Sequence, residues 1–496
     1  MAERSYATYQ DLEVTPFTFE SIQELVIVKQ INEHATLRLT GIVPEELKAS
    51  YMEMNHARTN IAVTQKTEQG GKIHLFQGMI MYMQIHQVRD VYQLELEAVS
   101  LSYQFDVTRK DRTFQDVGMA YSQLVDKVVQ DYDGADVMDA ASNGAAIGRV
   151  VLQYRETDWE LLKRLASHFH TGLVPAVAFD TPRVHFGVPD LGFKGEVNAY
   201  HYRVHKRMEL YQQSVQGLIP ELSESDCIFY EVETDQVFEI GMEVTFDRQR
   251  LVVYEVRVSM LDGLLKYKYL LTTRPGLSVR KQYNMAIVGA SLQGKVIAVA
   301  KDKIKAHLNI DPAQDAGKAF WFPYSTIYAS EDNAGWYCMP ENGDDVRIYF
   351  PTHKEEDAIA ISSVPKPKPE AGAAGGGGAA GAAGGGGASG ASGGGGSDPM
   401  EDPSIKTIKT KNGKMIVLAP DHILITGDGV SITLSDADGI SIISSKNVTV
   451  KATEEVTMTS KKITISAQEK IELTCKASSV VLEDRVDVKG TQVHNN

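Results

Sequence analysis

The sequence predicts a mainly β protein with a few helices. Three observations carry that prediction. Aliphatic pairs return about every eight residues near the C-terminus, short stretches of period-two alternation run through the first half, and a Gly/Ala-rich segment without core-forming residues lies between. At 496 residues the chain is too long for one core, so several domains are expected. The boundaries read from composition are a body at 1–283, a compact β unit at 284–364, a linker at 365–401 and a repeat domain at 402–496.

In the body, Ala35, Leu37 and Leu39 alternate, as do Ile61/Val63, Ile73/Leu75 and Leu94/Leu96/Ala98, each the signature of a half-buried strand. Gln69-Gly70-Gly71 predicts a hairpin turn between two of them. Two helices are expected. One opens at Thr113, with Asp116 three residues on, and presents Val117, Tyr121, Leu124, Val125 and Val128 on one face. The other takes Thr157 as N-cap and Glu160 as the closing member of a capping box, buries Leu161, Leu162, Leu165 and Phe169, and ends at Gly172. Strands resume over 236–273, with turns at Gly241 and at Asp262-Gly263. Residues 284–364, with strands over 294–300, 306–310 and 345–350, have the size and pattern of a small Greek-key barrel.

Residues 371–397 contain 15 Gly, 9 Ala and 3 Ser, and follow Pro365-Lys366-Pro367-Lys368-Pro369. That composition predicts a flexible tether of roughly 30 Å typical reach behind a stiffer lead-in. Its runs of four glycines are also a pattern used in engineered linkers.

Beyond the linker the aliphatic pairs are Ile416/Leu418, Ile423/Ile425, Ile432/Leu434, Ile440/Ile442, Val448/Val450, Val456/Met458, Ile463/Ile465, Ile471/Leu473, Val480/Leu482 and Val486/Val488. A spacing of two puts both members on one face of a short strand. Eight residues at roughly 3.3 Å each give about 26 Å of chain, too little for one closed coil with a packed interior. A lone chain would also leave strand edges unpaired and its apolar row in water. Three copies wound about one axis, each supplying one wall of a three-walled rung, remove both problems. The domain therefore reads as a trimeric β-needle whose core holds Ile416, Ile423, Ile432, Ile440, Val448, Val456, Ile463, Ile471, Val480 and Val486.

Composition narrows the function classes. A net charge of −15 argues against a dedicated nucleic-acid binder. No stretch approaches the roughly 20 apolar residues of a membrane helix. The polar, mixed-charge start gives no sign of a secretory signal peptide, so synthesis in the cytoplasm and export by another route are expected. Cys227, Cys338 and Cys475 form neither a metal spacing nor a disulfide framework.

Two strings carry a resemblance. Gln153-Tyr154-Arg155-Glu156-Thr157-Asp158-Trp159-Glu160-Leu161-Leu162, followed by Arg164-Leu165-Ala166, resembles a segment of VgrG proteins and of the late-control tail proteins of contractile phages. Gly335-Trp336-Tyr337-Cys338-Met339-Pro340-Glu341-Asn342-Gly343-Asp344-Asp345-Val346 is similar to the Trp…Pro-Glu-x-Gly-Asp-x-Val signature of the OB-fold in those spikes. The motif positions are Tyr154, Arg155, Glu156, Asp158, Trp159, Trp336, Pro340, Gly343 and Asp344. The resemblance implies a hub of two barrel-like subdomains, an OB-fold and an intertwined trimeric β-helix needle. It further implies a homotrimer at the centre of a contractile injection baseplate, docked under a hexameric inner tube protein and bound by other baseplate proteins. A PAAR-like tip protein and effectors are possible partners, contact with a target membrane is transient, and the chain is delivered across the envelope with its particle. The alternatives are the hub of a contractile phage tail or tailocin, and a spike acting mainly as an effector carrier. The long Gly-rich tether departs from the family pattern.

No enzyme and no cofactor are expected. Some phage spikes carry a lysozyme between OB-fold and needle, which needs paired carboxylates in a cleft. Residues 371–397 hold no ionisable side chain. His168/His170 and His201/His205 match no usual zinc spacing and read as surface or turn histidines. A frayed terminus is the default reading of the C-terminal end, with His494 as a candidate tip-metal ligand because three copies would converge there. Trp159 reads as core or interdomain packing, and Glu341/Asp344/Asp345 as a solvated turn rather than a cation site.

Overall fold

The computed structural model describes residues 7–54, 59–67, 70–261, 263–326, 339–362, 404–410, 412–476, 478–482 and 492. The chain divides into two compact units, Met1–Gly372 and Ala373–Asn496. Among the described residues no helix is long and apolar enough to cross a membrane.

The first unit is built on a twelve-stranded sheet made of two runs of six and four strands, with Phe193–Glu196 paired to Glu243–Phe246 and the latter paired to Gln249–Leu261. One runs from Leu12–Thr15 through Asn60–Lys66, Lys72–Val88, Val91–Ser100 and Thr36–Val43 to Ser21–Gln30. The other runs from Gln249–Leu261 through Leu264–Thr272 and Ile228–Thr234 to His201–Lys206. They join where Ser21–Gln30 pairs antiparallel with Gln249–Leu261, from Gln30 opposite Glu255 to Val26 opposite Ser259. A bridge from Thr8 to Leu264 nearly closes the sheet into a barrel. Period-two alternation explains the core: Leu25, Ile27, Leu37, Leu39, Ile61, Val63, Leu94, Leu96, Val256 and Val258 point inward, and each buried side chain contributes about 1.5–3 kcal/mol of transfer free energy. At the hairpin after Asn60–Lys66, Gly70 takes φ +80°, and the Thr67 N–H donates to the Gly71 carbonyl.

Between the two runs in sequence lies a smaller layer with its own core. It holds the antiparallel pair of Arg109–Phe114 with Val151–Thr157, a three-stranded sheet, and the helices Tyr121–Val129 and Asp158–Ser167. The helix expected to open at Thr113 begins instead at Tyr121, and Arg109–Phe114 is a strand. Thr113 is unavailable as a cap because its N–H donates to Asp311 Oδ1 at 2.7 Å and its hydroxyl donates to Asp311 Oδ2. Val117, expected on the buried face, is exposed. The second helix also stops earlier than expected, at Ser167, and His170 makes the left-handed turn at φ +56°. Gly172 serves a close approach instead, since a Cβ there would lie 2.5 Å from Asn32 Oδ1.

Residues 284–362 hold a five-stranded sheet in the order Phe322–Pro323, Lys303–Leu308, Ser291–Ala300, Asp345–Tyr349 and Ile359–Ser362. A bridge from Tyr324 to Ala360 connects its two ends, so the sheet closes around a core that includes Val296, Ile304, Ala306, Ile348 and Phe350.

In the second unit the strands Lys406–Lys409, Met415–Leu418, His422–Gly427, Val430–Ser435 and Gly439–Ser444 form an antiparallel meander. This differs from the wall of a three-chain prism. Each octad folds back on its predecessor, so hairpins within the single chain satisfy backbone groups that a prism would pair between chains. Residues 445–470 form neither strand nor helix, and Ile471–Cys475 pairs with Ser478–Leu482.

Candidate functional site

The first motif sits where the helical layer meets the small barrel. Val151–Thr157 runs without a loop into the helix Asp158–Ser167. Thr157 caps it: the Glu160 N–H donates to Thr157 Oγ1 at 3.1 Å, and the Thr157 N–H donates to Glu160 Oε2 at 2.9 Å. Alternation along the strand divides its side chains between two cores. Val151 enters the helical core, while Val150, Leu152 and Tyr154 pack into the barrel core. One strand thus belongs to both bodies.

Arg164 locks this joint. Its Nε and Nη2 donate to the two oxygens of Glu156 at 2.8 Å each, Nη2 also donates to the Leu152 carbonyl at 2.9 Å, and Nη1 donates to Glu355 Oε1 at 2.6 Å. Glu355 comes from the barrel, in the turn Glu355–Asp357, and both Arg164 and Glu355 are almost fully buried. Burial works against the guanidinium charge, but Glu355 and Glu156 outweigh it and raise the Arg164 pKa. Burial raises the Glu156 carboxyl, with Arg164 opposing.

Asp158, fully buried, accepts from Arg112 Nη2 at 2.5 Å, Gln153 Nε2 at 2.9 Å and the Tyr132 hydroxyl at 2.7 Å, with Lys110 Nζ at 2.8 Å. Arg155 takes a left-handed φ of +52°, held by its N–H donating to Asp111 Oδ1 at 2.7 Å. Trp159 is buried and lies over the His34 ring at 4.0 Å, tying the helix to the turn after Ser21–Gln30. Further hydrogen bonds cross the seam: Gln115 Nε2 to the Ala306 carbonyl, the Phe320 N–H to Gln115 Oε1, and Asn284 Nδ2 to the Tyr154 carbonyl.

In the second motif Gly343 turns at φ +92° and its N–H donates to the Val296 carbonyl. Asp344 accepts from the Glu341 N–H at 2.8 Å, and Pro340 is half-buried. Trp336 lies outside the described residues, as do Val486 and the candidate ligand His494. His168 Nδ1 meets Arg149 Nη2 at 2.5 Å and His170 Nδ1 meets the Val279 carbonyl at 3.1 Å, while His205 stacks on Phe229 and His201 Nε2 lies 3.6 Å from Glu233. Among the described residues no three His, Cys, Asp or Glu side chains converge as a metal site.

The needle positions show a second kind of site. The meander register places Ile416, Ile425, Ile432 and Ile442 in one cross-strand row and Leu418, Ile423, Leu434 and Ile440 in the next. All eight therefore share one face, on which Ile440 and Ile442 are 73% and 58% exposed. Val448, Val456 and Ile463 are also exposed, and Ile471 is half-buried. Val480 stands opposite Leu473. Sequence reasoning missed Arg164–Glu355 and the four donors on Asp158; an arginine among Leu161, Leu162 and Leu165 was the available signal.

No family model and no curated protein sequence matches the chain. Among solved structures its neighbours are VgrG-related type VI secretion proteins and phage tail proteins. In particular, the half-lidded Francisella PdpA–VgrG complex contains a chain that is 8% identical, with TM-score 0.51, over 89% of this chain and 88% of its own. The lidded form of that complex gives 9%, 0.51, 86% and 76% respectively. The E. coli c3393 protein, described as a type VI secretion component structurally similar to the T4 bacteriophage tail proteins gp27 and gp5, gives 11%, 0.49, 70% and 98%. At these identities the likeness to the two PdpA–VgrG structures shows the fold alone.

Proposed function

We propose that this chain is the central hub and spike of a tail-like contractile injection machine, active as a homotrimer and without enzymatic chemistry. The observation that carries the reading is the two-row aliphatic face of residues 416–442, continued by the exposed pairs up to Ile465. A run of large aliphatic side chains in water costs free energy that threefold association recovers. The shared fold of the neighbours supplies the setting. In this reading the near-closed sheet of the body docks beneath a hexameric tube protein and baseplate subunits, and the small barrel, an OB-fold, follows it. The meanders of three copies associate through this aliphatic face into a needle that passes through a target membrane. A PAAR-like protein is a candidate cap for the needle, and effectors ride on body or tip. The joint at Arg164 fits a mechanical part, because a strand shared by two cores and an ion pair across the seam both resist rotation under load.

Electron microscopy of the purified full chain tests the proposal. Threefold class averages with a narrow rod on one face of the body are expected; single-copy particles without a rod would overturn it.

A further inference from the structure

A cavity of about 480 Å³ opens in the first unit, where residues 174–179 face the strands Ser21–Gln30 and Lys72–Val88 and the segment 237–242. That volume lies within the usual range for small-molecule sites. Its walls are largely apolar, with Ile73, Val174, Val177, Ile240 and Met242 among them. The body's packing does not use this space, and neither motif contributes to it.

Its polar groups are unevenly presented. Lys29 Nζ donates to Glu239 Oε1 at 2.6 Å, but the lysine side chain is 2% exposed and the glutamate 34%. Both side chains line the cavity, and the carboxylate is the more open member of the pair. Glu239 Oε2 has no hydrogen-bond partner among the described residues and keeps its acceptor capacity. Two imidazoles, His74 and His185, complete the polar lining. Burial holds the His185 ring below its usual range, with Asp136 opposing, so it adds no positive charge at neutral pH. Arg183, the nearby cation, is stacked on the Phe179 ring at 4.3 Å.

We propose that this cavity binds a small apolar amine, with the hydrocarbon body against Val174, Val177, Ile240 and Met242 and the ammonium on Glu239 Oε2. A carboxylate acceptor in an apolar recess selects for a cationic donor and against an anion of the same shape.

Calorimetric titration of the full chain with tryptamine tests this, using indole-3-propionate as the anion of similar shape. One tryptamine per chain is expected, with the acid binding at least about tenfold more weakly, the discrimination of one hydrogen bond to a charged group. Glu239→Gln should weaken tryptamine by a similar factor. That variant strips Lys29 of its partner, so Ala178→Trp is the second probe: it fills the cavity from an exposed wall position, and should abolish binding at an unchanged melting temperature. Absence of tryptamine binding, equal affinity for amine and acid, or full binding by a folded Ala178→Trp chain would each overturn the proposal.

Discussion

Arg164 is the residue on which the joint between helical layer and barrel depends. Removing one partner of a buried charge pair leaves the others without compensation, which costs about 3–5 kcal/mol. Arg164→Ala, which strands Glu156 and Glu355 together, should therefore lower the urea midpoint of tryptophan fluorescence by that equivalent, whereas Arg38→Ala, whose partner Glu97 is exposed, should barely move it. His168 gives the joint a pH dependence. Its Nδ1 accepts from Arg149 and its Nε2–H donates to the Gln282 carbonyl at 2.9 Å, an arrangement open only to the neutral ring. Burial, then Arg149, brings its pKa down from 6.5 to about 4. The folded value lies below the unfolded one, so the unfolded chain takes up the proton first. The stabilisation is complete above pH 6.5 and is lost as pH falls towards 4. Burial also lowers His34 and His185, which act in the same direction. His168→Gln keeps one acceptor and one donor without the titration, and should narrow the stability gap between about pH 7 and pH 4.5. An unchanged gap would show that His168 does not carry the acid sensitivity. An arginine on an apolar helix face was visible in the sequence, but its partner lies 191 residues further on, and no local pattern reaches that far.

Two elements show how far local rules carry. Thr113 and Thr157 both precede an acidic residue by three positions, yet only Thr157 caps a helix. Its hydroxyl accepts from Glu160, while a distant carboxylate, Asp311, claims Thr113 and leaves it in a strand. Thr157→Ala should cost about 1 kcal/mol in the same urea measurement; Thr113→Ala loses a cross-seam bond instead. The octads show the opposite balance. Their period fixed which residues share a face, because side-chain alternation does not depend on the partner strand. It did not fix whose backbone pairs with whose, and hairpins within one chain satisfy the same groups. Ile425→Asp with Ile432→Asp places charges in the middle of one aliphatic row. The double variant should lose self-association of the full chain with the body's melting transition unchanged, as read by sedimentation velocity and calorimetry.

At the scale of the molecule, body, residues 284–364, Gly/Ala-rich run and octads each differ in composition and period. The division between the two units falls after Gly372, inside the Gly/Ala-rich run. The coupling within the first unit was hidden: a strand whose alternate residues serve two cores reads as an ordinary apolar strand, and only the topology shows that Val151 and Leu152 face different bodies. That coupling, together with an aliphatic face too large for a lone chain, underlies the reading of a spike built from three copies. The absolute mass of the full chain in solution, by light scattering at dilute concentration, tests it most directly. Three chains per particle is the expected result; a well-folded single chain would contradict it.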